Sequence, residues 1–539
     1  MGLRWAGGSG GSRRCGRAAA AALILLGCGA AWAQEPAAVP AAAPAARFPV
    51  LEYRVQGNTV LPQLRVEEAV YPHLGTGRTA EDIEAARKAL EDAYNKAGYP
   101  TVTVEVPQQR IAGGIVTLQV VERPVGRLRV TGARWFLPGQ VRAGAPSVAE
   151  GKVPNIPEVQ RDIVALNRLP DRRVTPQIRP GAAPDTVDVD LEVEDRLPLH
   201  ASAELNNRQT RSTRELRVIG AVRYDNLWQR GDSINFAYQT APQRPSDASV
   251  YSGSYLWRVP GSSASVLASI IRSDSDVATV GGTTVIGKGT IAGLRGIVPL
   301  GFSPGFTHSL SFGADYKSFR DGIILGADRA EYPITYYPFT VTYQASWAGE
   351  RATTDISASF VWAFRGLGSN TFDFTQKRAF AQPGFSYIRA DAARLQNLPW
   401  GMQLYGHATG QYAREPLIAN EQFALGGLDS VRGYFEVETL GDFGAAFQGE
   451  LRSPSLAPLL GPRVNEVRLH AFFDVGAAGI NHPLPQQNHS FTLASTGVGA
   501  RMRLFDRVNG QVEGATTLTD GADTKAGNVR ALFRIWGDF

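Results

Sequence analysis

Two short motifs contain side chains of opposite charge, an arginine and an aspartate. Arg432 belongs to the stretch Val431–Tyr434 (VRGY), and Asp474 belongs to Phe472–Gly476 (FFDVG). Arginine presents a planar fork of donors that fits a carboxylate through two parallel, charge-assisted hydrogen bonds. The glycines in both motifs allow backbone and side chain to approach closely. The candidate residues of this pairing are Val431, Arg432, Gly433, Tyr434, Phe472, Asp474 and Gly476.

The other chemistry-bearing patterns do not assemble into a catalytic or metal site. Gly301–Gly305 (GFSPG) has the spacing of an esterase nucleophile motif. That motif requires a helix after the serine, whereas proline followed by glycine forms a turn. The seven histidines are scattered without the spacing of metal ligands. The sequence therefore predicts no enzyme activity, no metal and no cofactor.

Composition narrows the class of protein. The 539 residues are 43% apolar and 19% charged, with 58 glycines and 33 prolines. This chain is too apolar to be disordered, and it has no run of 18 apolar residues after residue 35, which argues against helical membrane spans. The formal net charge is +5, yet 51 basic residues face 50 acidic ones once the four arginines of residues 1–33 are set aside. The charge balance therefore predicts no nucleic-acid partner.

The first 47 residues are predicted to be a leader and a linker. Four arginines, the apolar stretch Ala18–Leu26 and the small residues of Ala31–Ala33 predict a cleaved secretory signal peptide over 1–33. The alternative is a lipoprotein signal (LLGC) that is acylated at Cys28. The chain is exported in either case. Residues 34–47 are an Ala/Pro linker that is too rich in proline for a stable helix.

After Leu197 the chain breaks into short segments in which apolar and polar residues alternate, as in Leu310–Lys317. This pattern over roughly 340 residues predicts transmembrane strands with lipid outside and a polar lumen inside. Lipid offers no partner to backbone amides, so such a sheet must close into a barrel. We count sixteen strands, an even number that leaves an aqueous pore. They begin near residues 197, 214, 232, 249, 263, 284, 307, 334, 351, 381, 402, 442, 464, 491, 507 and 526.

The chain ends on the last of these strands. Phe533, Ile535 and Phe539 share one face of it, and Phe539 is the terminal residue. A final strand with a C-terminal phenylalanine resembles the recognition signal of bacterial outer-membrane barrels. The resemblance implies that periplasmic chaperones and the barrel assembly machinery deliver the chain into outer-membrane lipid.

Between the linker and the barrel, strands alternate with helices, and the order repeats once. Over 48–123 the sequence predicts a strand ending at Gly57, a helix capped by Thr79, and the strands Thr101–Val106 and Ile115–Glu122. Over 124–196 it predicts the strand Val125–Val130, the helix Pro157–Leu169 and a last strand from Val187. The acidic stripe Asp188, Asp190, Glu192 and Glu194 on that strand is interpreted as a solvated sheet face.

The segments AYNKAGYPTVTVEV and LNRLPDRRVTPQIRPGAAPDTVDVDLEVED resemble paired polypeptide-transport-associated (POTRA) domains. VRGY and FFDVG resemble the loop and strand motifs of the outer-membrane assembly and two-partner secretion superfamily. The chain is thus similar to ShlB/FhaC/HecB transporters. The implied fold is two α+β POTRA domains (48–123 and 124–196) followed by a 16-stranded antiparallel transmembrane barrel (197–539).

This resemblance implies an outer-membrane transporter with its POTRA domains in the periplasm. It would recognise an unfolded exoprotein, of the β-helical adhesin or haemolysin type, and export it without ATP, in some cases activating it. The loop would fold back into the barrel so that Arg432 meets Asp474 as a partly solvated pair. The alternative is a factor that inserts other barrels, although such proteins usually carry three or five POTRA domains. A passive porin would have no periplasmic modules.

Cargo capture is expected at a sheet edge of the first POTRA domain, because an unfolded chain can add to an exposed edge as an extra strand. Family members often carry an N-terminal plug helix, for which 34–47 is a poor candidate. The identity of the cargo and the oligomeric state are left open. The candidate cargo edge consists of Thr101, Val102, Thr103, Val104, Glu105 and Val106.

Overall fold

A closed antiparallel barrel of sixteen strands forms the C-terminal part of the molecule. The structure, a computed structural model, describes residues 46–275, 277–280, 283–325 and 328–539. The strand count, the closure and the alternation predicted from sequence are confirmed. The barrel strands are β9 (Leu199–Asn206), β10 (Arg217–Leu227), β11 (Asp232–Thr240), β12 (Ser249–Arg258), β13 (Ser265–Ser273), β16 (Gly289–Ser303), β17 (Phe306–Leu325), β18 (Asp328–Ala348), β19 (Ala352–Gly368), β20 (Ser386–Asn397), β21 (Gln403–Ala413), β24 (Phe443–Arg452), β25 (Val464–Gly479), β26 (Ser490–Leu504), β27 (Val508–Thr517) and β28 (Val529–Asp538).

Short elements interrupt the connections between these strands. They are the hairpin of β14 (Val277–Val280) and β15 (Thr283–Ile286), helix α5 (Thr371–Lys377), the hairpin of β22 (Phe423–Leu425) and β23 (Thr439–Gly441), and helix α6 (Ala457–Leu460). In the part of the chain that the structure describes, no helix has both the length and the apolar character needed to cross a membrane.

The two faces of the barrel wall differ in polarity. Large apolar side chains project from the outside, among them Phe236, Ile270, Leu294 and Phe312. Their neighbours in sequence point into the lumen, where charged side chains such as Asp315 are buried. A period of two with apolar residues outside and polar residues inside is the arrangement that lipid and an aqueous lumen select.

The barrel closes where its last strand meets its first. Strand β28 pairs with β9 over Arg534–Asp538 and Ser202–Asn206. The C-terminal Phe539 extends this pairing, because its N–H donates to the carbonyl of Ala201 (2.8 Å) and its carbonyl accepts from Ala201 (3.1 Å). We call the junction of β9 and β28 the seam.

We predict that the protein migrates on unheated gels as a compact, heat-modifiable monomer, because a closed hydrogen-bonded barrel resists detergent until it is boiled. Limited proteolysis of the membrane-inserted protein should leave a protected core that begins near residue 197, just before β9. N-terminal sequencing of that core is the measurement. A protected core that began well before residue 180 would contradict the predicted start of the barrel at 197.

The first POTRA-like domain contains β1 (Phe48–Val50), β2 (Glu52–Gln56), α1 (Gln63–Val70), β3 (Gly75–Arg78), α2 (Ala80–Lys96), β4 (Thr103–Glu105) and β5 (Ile115–Val121). Its main sheet has the order β2-β5-β4, so β4 is an edge strand. Thr79 caps α2 as predicted, because its Oγ1 accepts from the N–H of Asp82 (3.4 Å), while its own N–H donates to Asp82 Oδ2 (2.8 Å). Strand β4 is shorter than the predicted strand Thr101–Val106, since the N–H of Val102 bonds back to the carbonyl of Tyr99 in a turn (3.3 Å).

The second POTRA-like domain contains β6 (Val125–Thr131), α3 (Pro138–Ala143), α4 (Ile156–Leu166), β7 (Arg172–Pro180) and β8 (Val187–Asp195), with the sheet order β6-β8-β7. The sequence predicts β6, α4 and β8, whereas α3 and β7 are seen only in the structure. Strand β7 has two prolines, Pro176 and Pro180, which argue against a strand in sequence but are tolerated at a sheet edge.

The acidic stripe of β8 is not uniformly solvated, contrary to expectation. Asp190 is 9% exposed and accepts two hydrogen bonds from Arg129 on β6 (3.0 and 3.0 Å). Arg179 of β7 also contacts Asp190. The hydrogen bond from Arg129 holds the pKa of Asp190 below its usual range. The stripe is thus partly covered by a basic stripe on the neighbouring strands.

The second POTRA-like domain contacts one end of the first barrel strands. Asp171, just before β7, lies 2.8 Å from His200 Nε2 at the start of β9. The hairpin between β10 and β11 also touches this domain, since Gln229 Oε1 accepts from the N–H of Leu137 (3.0 Å). These bonds tie the domain to the barrel wall. The predicted leader (1–33) and most of the predicted linker (34–47) lie outside the described residues.

Candidate functional site

The loop between β21 and β24, residues 414–442, lies inside the barrel. Strands β22 and β23 pair with each other to form its stem. Phe423, Leu425, Val431 and Tyr434 are buried in one apolar cluster with residues of the wall strands β24, β25 and β26: Ala446, Ala478 and Leu493. We call residues 414–442 the lumen loop. Burial of these apolar side chains against the inner wall stabilises the folded-in position of the lumen loop.

Arg432 lies at the tip of the lumen loop and contacts Asp474 on β25. Its Nε and Nη2 atoms are each 2.7 Å from the two carboxylate oxygens, and its backbone N–H donates to Oδ2 (3.1 Å). Arg432 is 2% exposed and Asp474 is 0% exposed. The pair is therefore bidentate and fully buried, whereas the sequence analysis expected partial solvation. The difference arises because the loop itself excludes water from the pair.

Two further carboxylates, which the sequence motifs do not include, bind the same guanidinium. Arg432 Nη1 lies 2.8 Å from Glu450 Oε1 on β24 and 2.9 Å from Glu513 Oε1 on β27. Both residues are acidic at lumen-facing positions, which is the one sequence signal for them. Lumen-facing acids are common in such barrels. Only the register of the adjacent strands β24 to β27 places Glu450 and Glu513 beside Arg432.

The surrounding charges balance. Glu450 also bonds Arg452 (2.7 Å) and Arg501 (3.0 Å), and Glu513 also bonds His470 (2.9 Å). Three buried carboxylates thus face three guanidinium groups, of which Arg432 is buried and Arg501 reaches the open lumen. Breaking a buried network by removing one member costs about 3–5 kcal/mol, because a charge is left unmatched.

The remaining motif residues fix the position of Arg432. The guanidinium carbon of Arg432 lies 3.7 Å from the ring centroid of Phe472, a cation–π contact. Tyr434 donates its hydroxyl hydrogen bond to the carbonyl of Thr519 (2.7 Å). Gly433 has φ +92°, a left-handed conformation that side chains disfavour. A Cβ at Gly476 would stand 2.4 Å from Leu425 of the lumen loop, so only glycine allows the loop to approach the wall this closely.

Two more buried acids, neither of them predicted from the sequence, anchor the base of the lumen loop. Glu421 accepts from Lys317 (2.6 Å), Tyr336 (2.6 Å) and Tyr387 (2.7 Å), which project from the wall. Asp442 pairs with Arg378, just after α5, through Nη2 and Oδ2 (2.6 Å). The lumen loop is therefore anchored at its base as well as at Arg432, to wall strands through Glu421 and to the β19–β20 connection through Asp442.

The other predicted site residues lie elsewhere. Ile535 and Phe539 are exposed on the outer face of β28, and Phe533 of the same strand is partly buried. In the candidate cargo edge, Val102 and Val104 are buried, Thr101 and Thr103 are half-buried, and Glu105 and Val106 are exposed. Neither group contacts the Arg432 network.

Comparisons with known proteins agree with this architecture. A model of the ShlB-type POTRA domain matches residues 48–123, and a model of the haemolysin secretion/activation protein ShlB/FhaC/HecB matches residues 331–502, which include Arg432 and Asp474. The outer membrane transporter CdiB of Dickeya dadantii (strain 3937) is 24% identical over 433 residues, 75% of this chain and 72% of that protein. CdiB of Escherichia coli O6:K15:H31 (strain 536 / UPEC) is 23% identical over 447 residues, 80% of this chain and 72% of that protein.

Solved structures show the same fold. CdiB from Escherichia coli superposes with a TM-score of 0.63 at 20% identity, covering 93% of this chain and 92% of that chain. BamA from Haemophilus ducreyi lacking POTRA domains 1–3 superposes with a TM-score of 0.55 at 13% identity, covering 91% of this chain and 100% of that chain.

Fold, loop and sequence relatives together define a POTRA-plus-barrel protein of the bacterial outer membrane, with its POTRA domains in the periplasm. Within that class, the chain is an outer-membrane transporter of the two-partner secretion type whose cargo is a secreted exoprotein, and over residues 331–502 it is similar to the ShlB/FhaC/HecB family. The curated relatives favour export over the insertion of other barrels, since the likeness to BamA concerns the fold alone.

Proposed function

We propose that this transporter moves its cargo through the lumen and that the Arg432 network is the lock that keeps the lumen loop in place between transport events. The observation that carries this proposal is a loop guanidinium buried among three wall carboxylates. Release of this network would free the tip of the lumen loop from the wall when the cargo competes for the lumen, while Glu421 and Asp442 hold its base. The periplasm has no ATP, so folding of the cargo outside the cell would bias its movement.

The cargo fits the class of large β-helical adhesins or haemolysins, some of which would be activated during passage. The exposed apolar face of β28, with Ile535 and Phe539, supports recognition by the barrel assembly machinery. Periplasmic chaperones and outer-membrane lipid complete the expected partners. Sequencing of the neighbouring gene and a secretion assay test this assignment. Deletion of the transporter should leave the neighbour's product in the periplasm, and unchanged secretion would contradict it.

We further propose that the edge strand β4 receives the cargo as an added strand. The backbone of Val104 points away from the sheet and is occupied by two side chains of α2. Its N–H donates to Glu91 Oε2 (3.4 Å), and its carbonyl accepts from Arg87 Nη1 (3.2 Å). Arg87 and Glu91 thus occupy the bonds that an incoming strand would make, and they protect the free edge from unspecific pairing.

Val104→Pro is expected to weaken cargo binding at least several-fold, because it removes the N–H that the incoming strand requires. Glu91→Gln should act in the opposite direction, since a weaker internal partner leaves the edge easier to occupy. Affinity of the purified full-length transporter for the secretion domain of the cargo is the measurement.

Val104→Ala is the matched control, because it loses the same buried side chain but keeps the N–H. Equal affinities for the proline and alanine variants would rule out β4 as the docking edge. Heat-modifiability of every variant shows whether the barrel has remained folded.

A further inference from the structure

The seam between β9 and β28 has short backbone pairing. The ladder between β9 and β28 covers Ser202–Asn206 and is extended by single positions at Ala201 and Asn207, whereas the opposite side of β9 pairs with β10 from Leu199 to Asn206 and continues through a bond between Pro198 and Asp225. A barrel opens most easily where its backbone ladder is shortest, because each ladder bond removed leaves unsatisfied groups. Any contact that bridges this seam from inside therefore matters for closure.

The lumen loop makes such a bridge, starting from the first strand. Arg208 follows β9 by two residues, and its side chain is 16% exposed. It forks onto Glu436 of the lumen loop, with Nε 3.1 Å from Oε1 and Nη2 3.2 Å from Oε2. Arg208 also pairs with Asp429, and the backbone N–H of Glu436 donates to the carbonyl of Gln209 (3.0 Å).

The neighbouring residues of the loop hold the last hairpin. The guanidinium of Arg530 on β28 lies 4.0 Å from the ring centroid of Phe435. Glu438 accepts hydrogen bonds from the backbone N–H groups of Asp523 (2.7 Å) and Thr524 (2.6 Å), in the turn between β27 and β28. The loop segment 434–438 thus contacts both sides of the seam.

We propose that segment 434–438 is a staple that holds the first and last barrel strands together, with Arg208 and Glu436 as its positioning residues. The bonds of this segment are separate from those of Arg432, which pairs with residues of β24, β25 and β27. Displacement of the lumen loop then removes the inner support of the seam, so that loop release and loosening of the seam occur together. This coupling goes beyond the proposed lock and does not require that Arg432 control secretion.

Arg208→Ala in the full-length protein is expected to raise the open probability in planar-bilayer recordings about tenfold, the change that follows from losing a charge-assisted hydrogen bond. Glu436→Gln should also raise the open probability, because it removes the charge while keeping the shape of the side chain. Arg211→Ala is the matched control. Arg211, which follows β9, pairs with Asp523 in the turn between β27 and β28 (2.6 Å), so this ion pair also joins the two sides of the seam. Both side chains are exposed, and exposed ion pairs contribute little, so the loss of Arg211 should leave the open probability unchanged.

A disulfide across the seam tests whether the openings arise from separation of β9 and β28 or only from displacement of the lumen loop. Ser202 and Asp538 are register partners in a non-hydrogen-bonded pair, and both cysteines of the chain precede residue 46. Ser202→Cys with Asp538→Cys, oxidised in the Arg208→Ala background, should return the openings to the wild-type frequency, and reduction should restore them. Unchanged openings in Arg208→Ala and Glu436→Gln, or openings that persist in the oxidised protein, would overturn the staple.

Discussion

Arg432→Ala should stop secretion of the cargo while a closed barrel remains in the outer membrane. Asp474 makes its side-chain hydrogen bonds to Arg432 alone among the described residues, whereas Glu450 keeps Arg452 and Arg501. The variant therefore leaves one buried carboxylate unmatched, at a cost of about 3–5 kcal/mol. That cost shifts the loop out of its bound position more than about a hundredfold. The barrel ladder does not pass through Arg432, so folding should survive.

The measurement is the amount of secreted cargo divided by the amount of folded transporter, and the folded transporter is quantified as its heat-modifiable band. Asp474→Ala should be milder, because Arg432 retains Glu450 and Glu513. The double variant should be little worse than Arg432→Ala, since coupled residues are not additive. Arg452→Ala is the control: it removes another guanidinium from Glu450 without freeing the loop. Normal secretion in Arg432→Ala, or a loss that only follows falling barrel levels, would show that the network is purely structural.

Gly476→Val should have an effect of similar size by a steric route. A Cβ at this position would stand 2.4 Å from Leu425 and 3.1 Å from the Cβ of Ala446, so the loop stem must leave the wall. Real side chains do not tolerate such a contact, and the apolar cluster around Leu425 would be disrupted with it. We expect increased channel openings together with a strong loss of secretion.

Gly514→Val is the matched control for this substitution. It lies in β27, and a Cβ there has nothing within 4 Å. Strand propensity changes equally in the two variants, so any difference between them reports the contact with the loop. If Gly476→Val and Gly514→Val secrete alike, the close approach of Leu425 to the wall has no part in transport.

The sequence by itself determined the barrel. Apolar and polar residues alternate with a period of two because each strand has lipid on one side and water on the other. This pattern is present in the sequence of every strand taken by itself. Sixteen strands, their approximate starts and the closed sheet could therefore be predicted. The POTRA elements with clear periodicity, such as α2 and β5, could be predicted as well. Strand β7 could not, because its prolines and arginines suit an edge that only the assembled sheet defines.

The motifs also indicated Arg432 and Asp474, because their resemblance to the loop and strand motifs of the two-partner secretion superfamily implies that these side chains meet. Only the tertiary structure decided the rest of the site. Glu450 and Glu513 reach Arg432 because barrel closure places β24, β25 and β27 around one lumen loop. Arg208 and Glu436 are 228 positions apart and meet only because the first strand returns to the loop when the barrel closes. Strand pattern is local and can be read from sequence, whereas contacts across a closed lumen depend on register and closure.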